Sequence, residues 1–116
     1  MSEPSSAEES FDLDALTRAI RAEDAYARDG HGARTLVRAV DLRIVLVAMK
    51  EGATIKEHRV RTTASVHALR GRMRLRIADR VAELEAGQVL VIPPDVPHDV
   101  HAVEESAFLL TLGWKG

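Results

Sequence analysis

The sequence predicts an all-β domain, a sandwich or barrel of short antiparallel strands preceded by one helix. Apolar and β-branched runs recur between residues 43 and 112 at close, even spacing, and turn residues separate them. Many short strands of this kind are typical of sandwiches and barrels rather than of alternating βαβ units. A helical periodicity precedes this region, in residues 12–27.

The predicted N-terminal helix follows from apolar residues at three- and four-residue spacing, which mark one buried face. These residues are Leu13, Leu16 and Ile20. Ser10 or Asp12 is suited to cap the start of the helix. The Asp-Gly-His-Gly stretch at residues 29–32 is expected to end it.

Four strands are predicted from apolar or alternating runs. They are residues 43–49, 72–77, 89–92 and 108–112. In the second of these, apolar residues alternate with Arg72, Arg74 and Arg76, so the arginines share one face. We interpret that face as solvated rather than as an anion site.

The composition of the chain limits its expected cellular compartment and the classes of partner that it could bind. There are no cysteines, so disulfides and thiolate chemistry are excluded. No apolar run is long enough for a membrane span, and the acidic N-terminus does not resemble a secretory signal, so we expect a cytoplasmic protein without a membrane partner. Residues 56–80 contain eight basic residues, whereas residues 1–30 contain eight acidic residues. Without interleaved aromatics or a nucleic-acid motif, we expect no nucleic-acid partner.

Two segments, residues 52–58 and 87–98, carry the most specific pattern in the chain. Each starts at a glycine and ends at a histidine. The resemblance described next rests on the positions of Gly52, His58, Gly71, Gly87, Pro93 and His98. Their spacing resembles the two signature motifs of the cupin superfamily, and the resemblance covers about residues 33–113.

The resemblance implies an RmlC-like cupin, a cupin-type antiparallel β-barrel built as a two-sheet jelly roll, with one N-terminal α-helix. It divides the chain into a flexible acidic tail (residues 1–10), an N-terminal helix and loop (11–32) and a cupin β-barrel domain (33–116). Small cupins commonly pair, so the resemblance also implies a homodimer.

The chain departs from the family pattern at the metal site. Cupins usually hold a metal with three histidines and one glutamate, but the second histidine falls on Val60 and the glutamate on Ala64. Only His58 and His98 remain as tentative ligands. Two imidazoles without a carboxylate would hold a divalent metal such as Fe, Mn, Ni or Zn only weakly. The resemblance therefore predicts a pocket lined by His58, Val60, Ala64 and His98, with a degenerate metal site.

The other three histidines are expected to lie outside this site. Strand alternation places His67 out of phase with Ala64, and His101 out of phase with His98. His31 is expected in a glycine-rich loop before the first strand. We interpret all three as surface, interface or hydrogen-bonded core histidines.

Three functions are compatible with this pattern. The first is the binding of a small organic ligand without catalysis. The second is a metal-dependent oxygenase or isomerase that uses His58 and His98 as metal ligands. The third is a structural module that mediates protein contacts. Catalytic residues cannot be named from the sequence, and the fold alone does not choose between these functions.

Overall fold

Residues 8–113 are mostly β and form two antiparallel sheets and two short helices. The structure, a computed structural model, describes residues 8–113, and the side chains of Glu57 and His58 are left out of the description. The elements in chain order are α1 (Leu13–Arg21), α2 (Asp24–Asp29), β1 (His31–Arg38), β2 (Leu42–Met49), β3 (Thr54–His58), β4 (Ala64–Arg70), β5 (Arg72–Ile77), β6 (Arg80–Glu85), β7 (Val89–Ile92), β8 (His98–Ala102) and β9 (Ser106–Gly113). One sheet has the order β1-β2-β9-β4-β7 and the other β3-β8-β5-β6.

The four predicted strands are present. β5 and β7 have the predicted bounds, whereas β2 and β9 extend one to two residues further. Five further strands form that the apolar runs do not predict. These strands are β1, β3, β4, β6 and β8. They mix polar and apolar residues, and pairing with a neighbour rather than local composition makes them strands.

The segment predicted as one helix forms two. Asp12 caps α1, and its carboxylate accepts a hydrogen bond of 3.0 Å from the Ala15 N–H. Glu23 then takes an extended conformation (φ −80°, ψ 146°), which interrupts the helix. The break allows Ile20 in α1 and Tyr26 in α2 both to be buried, with 0% and 4% exposure. Within residues 8–113, no helix has the length and apolar character needed to cross a membrane.

The main core lies between the two sheets. Its largest members are aliphatic residues and methionines, and Phe108 is the one aromatic side chain in this cluster. The alternation in β5 is confirmed, because Met73 and Leu75 are fully buried while Arg74 and Arg76 are exposed. An aliphatic core is what a chain with 3% aromatic residues requires.

The two helices cover part of the outer face of the five-stranded sheet. Ile20 and Tyr26 pack there with Leu46 and Ala48 of β2 in a second, smaller core. Gly32 in β1 lies directly beneath Ile20, and a Cβ atom at this position would lie 2.7 Å from Ile20 Cγ2. Glycine at residue 32 therefore sets how closely α1 approaches the sheet.

The arginine face of β5 is a solvated face, as the sequence predicts. Each arginine faces a carboxylate on a neighbouring strand or turn. The pairs are Arg72–Glu104 at 3.6 Å, Arg74–Glu83 at 3.1 Å and Arg76–Asp99 at 3.6 Å. All six side chains are at least partly exposed, so each pair contributes little to stability.

Replacing Gly71 by alanine tests the contact between two turns. Gly71 has a φ of +77°, and an added Cβ would overlap the carbonyl oxygen of Glu105. Gly87 has a φ of +92° with open space around it, so Gly87→Ala is the matched control. In both variants the left-handed backbone lowers the free energy of unfolding by about 1–2 kcal/mol. In Gly71→Ala the overlap with Glu105 lowers it by about 1–3 kcal/mol more. Urea denaturation measures the difference, and equal losses would contradict the close contact.

Candidate functional site

A cavity of about 250 Å³ lies between the two sheets. Nine of the described residues line it, of which seven are apolar and two are histidines. The lining residues are His31, Ala33, Val47, Ile55, Val66, His98, Val100, Phe108 and Leu110. An apolar cavity of about 150 Å³ holds benzene, so this one accommodates a somewhat larger molecule.

The cavity arises from strand alternation combined with small side chains. Val66 in β4 and Val100 in β8 are buried, and both strands alternate buried with half-buried residues. Val47 and Leu110 line it from β2 and β9, the central strands of the five-stranded sheet. Valine is too short to fill the space between sheets that stack about 10 Å apart, and a gap remains.

His98 is the first residue of β8 and is 4% exposed. Its Nδ1 lies 3.1 Å from the carbonyl oxygen of Val96. A carbonyl oxygen only accepts hydrogen bonds, so Nδ1 carries the hydrogen in this contact. In the neutral ring Nε2 is then the acceptor, which is the form in which an imidazole binds a metal or accepts a hydrogen bond from a ligand.

His31 also lines the cavity, contrary to the expectation that it lies in a loop away from the site. Gly30 (φ +83°) ends α2 and turns the chain so that His31 begins β1 and pairs with Met49. His31 and Ile55 border a wider outer basin as well, of about 720 Å³. These two side chains therefore lie between the cavity and the surface.

His58 is placed by the backbone alone. The last residue of β3, it pairs with His98 across the β3–β8 ladder after an irregularity in the register. Directly opposed residues in antiparallel strands have Cα atoms about 4.5–5.5 Å apart. The two histidines predicted from the motifs are thus neighbours in the sheet.

Val60 and Ala64, the other two predicted pocket residues, are absent from the cavity lining. Ala64 is 2% exposed in the main core, between Ile92 and Leu112 on the two flanking strands. Val60 packs against the same core, and its carbonyl accepts a hydrogen bond of 2.8 Å from the Asp95 N–H. Their role in a ligand pocket remains a prediction.

His67 and His101 have the strand phase that the sequence predicts. His67 is half-buried in β4 between the buried Val66 and Ala68. His101 is half-buried in β8, and its Nδ1 lies 2.9 Å from Thr54 Oγ1. Neither residue lines the cavity.

The described side chains do not supply the metal ligands that the sequence resemblance implies. Among them there is no group of three or more histidine, cysteine, aspartate or glutamate residues that could hold a metal ion. The positions of the missing histidine and glutamate carry Val60 and Ala64, which have no donor atoms. This donor set does not fit a three-histidine, one-carboxylate centre.

Comparison with known proteins identifies the family. The cupin domain model matches residues 45–112, more than half of the chain. The chain belongs to the cupin family. This match contains most of the cavity lining and both motif histidines. A search of curated proteins finds no match.

Many solved structures share the cupin fold of this chain. A conserved protein of unknown function from Streptococcus pyogenes is 28% identical, with a TM-score of 0.76, over 100% of this chain and 97% of that one. An RmlC-like cupin from Shewanella frigidimarina is 20% identical, with a TM-score of 0.69, over 73% and 77%. A variant of oxalate decarboxylase from Bacillus subtilis is 23% identical, with a TM-score of 0.69, over 73% and 26%. The last two likenesses show the fold alone.

Sequence analysis missed most of the cavity lining. A signal for Val66 and Val100 was present, since they share the phase of Ala64 and His98 in alternating segments. For His31 the available signal was the alternation that follows Gly30, which places His31 and Ala33 on one side of a strand. That segment lacks an apolar run, so it does not stand out as a strand.

Adding volume at two buried positions of β4 tests the cavity. Val66→Ile adds one carbon beside the cavity and should change the free energy of unfolding by less than about 1 kcal/mol. Ala68→Val enlarges a fully buried residue of the same strand that does not line the cavity, and should cost about 1–3 kcal/mol. Thermal and urea denaturation compare the two, and a larger loss for Val66→Ile would show that the space is absent.

Proposed function

We propose that this cupin binds a small organic molecule in the cavity between its sheets. The observation that carries the proposal is a cavity of about 250 Å³ whose seven apolar residues are joined by His31 and His98. Mainly apolar pockets with a few convergent polar groups are typical ligand sites. Apolar burial supplies the affinity, and the imidazoles fix the orientation of the ligand.

The lining indicates the chemistry of the ligand. Among the side chains that the structure describes, no lysine, arginine or carboxylate lines the cavity, and the imidazoles of His31 and His98 are its polar groups. Burying an unpaired charge is costly. A neutral ligand that carries a hydroxyl or carbonyl group therefore fits best. The imidazoles of His31 and His98 are the groups in the described lining that would meet this hydroxyl or carbonyl.

A metal-dependent oxygenase or isomerase is the second candidate. The observation that favours it is the register, which pairs His58 with His98. One structural neighbour, the oxalate decarboxylase of Bacillus subtilis, has Mn(II) centres. A metal held by these histidines would act as a Lewis acid. The absence of a carboxylate at Ala64 argues against this candidate, so the binding function is preferred and catalysis stays open.

A second copy of the chain is the proposed protein partner. β6 and β7 are edge strands of their sheets. They carry the exposed side chains of Val81, Val89 and Val91, each more than half exposed. Edge strands with exposed apolar residues favour pairing with another chain, which is consistent with the dimer that the family resemblance implies.

Ligand titration with a cavity-filling variant tests the binding function. The probes are neutral alcohols and ketones, aliphatic and aromatic, each larger than benzene, with binding followed by ligand-observed NMR after metal removal by a chelator. We expect saturable binding to the wild type and binding at least tenfold weaker to Val66→Phe, because the added ring occupies the cavity.

The matched control is Val40→Phe, which makes the same change at an exposed position of the turn between β1 and β2. It should bind the probes as the wild type does. Circular dichroism establishes that both variants are folded. Undiminished binding to folded Val66→Phe, or no binding of any probe to the wild type, would contradict the proposal.

A further inference from the structure

A second cleft, of about 310 Å³, lies beside α1 on the other face of the five-stranded sheet. Its walls are α1, the end of β4 and the turn before β9. The lining residues are Asp14, Thr17, Arg18, Arg21, Arg70 and Glu105. It shares no residue with the histidine cavity, whose lining belongs largely to the core between the sheets. We call it the arginine cleft.

Helical spacing directs one face of α1 into the arginine cleft. Asp14, Thr17, Arg18 and Arg21 follow one another at intervals of three, one and three residues, which aligns them along one side of a helix. Ile20, on another side, is buried against the sheet. The Thr17 hydroxyl donates to the Leu13 carbonyl at 2.7 Å, so the guanidinium groups are the main donors of the cleft.

The charges of the arginine cleft do not balance. Three guanidinium groups face two carboxylates. Arg70 pairs with Asp14 at 3.0 Å, but both side chains are more than half exposed, so the pair is readily exchanged. Arg18 is exposed and forms no ion pair within residues 8–113. The cleft is left with one unmatched positive charge.

Arg21 lacks good acceptors. Its guanidinium lies 3.7 Å from the Glu105 carboxylate, too far for a hydrogen bond. Its Nε is buried and has no hydrogen-bond partner in the described part of the chain. Burial raises the pKa of Tyr26, Glu105 raises it further, and Arg21 opposes the change. A buried donor without an acceptor is costly, so an added anion would be favourable here.

We propose that the arginine cleft binds a dianionic oxyanion, the phosphate group of a small phosphorylated molecule, between Arg18, Arg21 and Arg70. Guanidinium groups match the oxygens of a phosphate with paired, charge-assisted hydrogen bonds. A dianion carries two negative charges and would attract Arg70 more strongly than the single charge of the Asp14 carboxylate does. The cleft volume leaves room for the rest of a small molecule.

The alternative is that these charges have only a structural role, in which their ion pairs brace (that is, hold) α1 against β4 and the turn before β9. The two roles differ at Arg18 and Asp14. Arg18 has no ion pair, so a brace does not depend on it, whereas an anion site does. Asp14 competes with the anion for Arg70, so its neutralisation should strengthen binding if the site exists and should weaken the helix contact if it is a brace.

Calorimetric titration with inorganic phosphate at constant ionic strength and pH 8 tests the proposal. We expect saturable binding to the wild type, about tenfold weaker binding to Arg18→Gln and to Arg21→Gln, and tighter binding to Asp14→Asn. Arg38→Gln, at an exposed arginine of β1 outside the cleft, is the control and should bind as the wild type does.

Titrations with acetate, a monoanion, and sulfate, a dianion, test whether the cleft selects for two negative charges. Sulfate, a dianion, should compete with phosphate, whereas acetate should bind at least tenfold more weakly. Absence of saturable phosphate binding, equal weakening in Arg38→Gln, equal affinity for acetate, or no gain in Asp14→Asn would each overturn the proposal. Because the histidine cavity contributes none of these residues, failure here leaves the proposed small-molecule function untouched.

Discussion

The structure depends on one sheet that is apolar on both faces. In β2, Val47 and Met49 face the main core while Leu46 and Ala48 face the helices. A sheet with two apolar faces must be covered on both sides. The four-stranded sheet covers one face and α1 with α2 covers part of the other, which explains why a mostly β chain carries helices and why α1 needs a glycine beneath it.

This arrangement separates the two sites. The histidine cavity lies on the inner face, where short aliphatic side chains leave space and His98 enters at the start of β8. The arginine cleft lies on the outer face, where the polar side of α1 meets the turn before β9. One site is apolar with two imidazoles and the other is polar and positively charged. The two therefore suit different molecules, and each can be altered without the other.

The sequence was sufficient for the fold family and for part of the site. Glycine, proline and histidine spacing predicted a cupin, and alternation predicted the buried side of β5. The break at Glu23 could not be predicted from helical periodicity, because it follows from the burial of Ile20 and Tyr26 on the sheet. The contribution of His31 to the cavity had only a weak signal in the sequence, the alternation after Gly30, because its position depends on the pairing of β1 with β2. Ala64 illustrates the reverse case, in which a motif position lies in the core and not in the cavity lining.

The most direct test of the central claim is native mass spectrometry of the untagged protein as purified, compared with the denatured chain. If the cavity binds an organic molecule, the native protein carries an added mass that corresponds to a small organic compound, and folded Val66→Phe lacks it. An added mass equal to one Fe, Mn, Ni or Zn ion that is lost in both His58→Ala and His98→Ala, without an organic mass, would contradict the account and favour the metal-dependent enzyme.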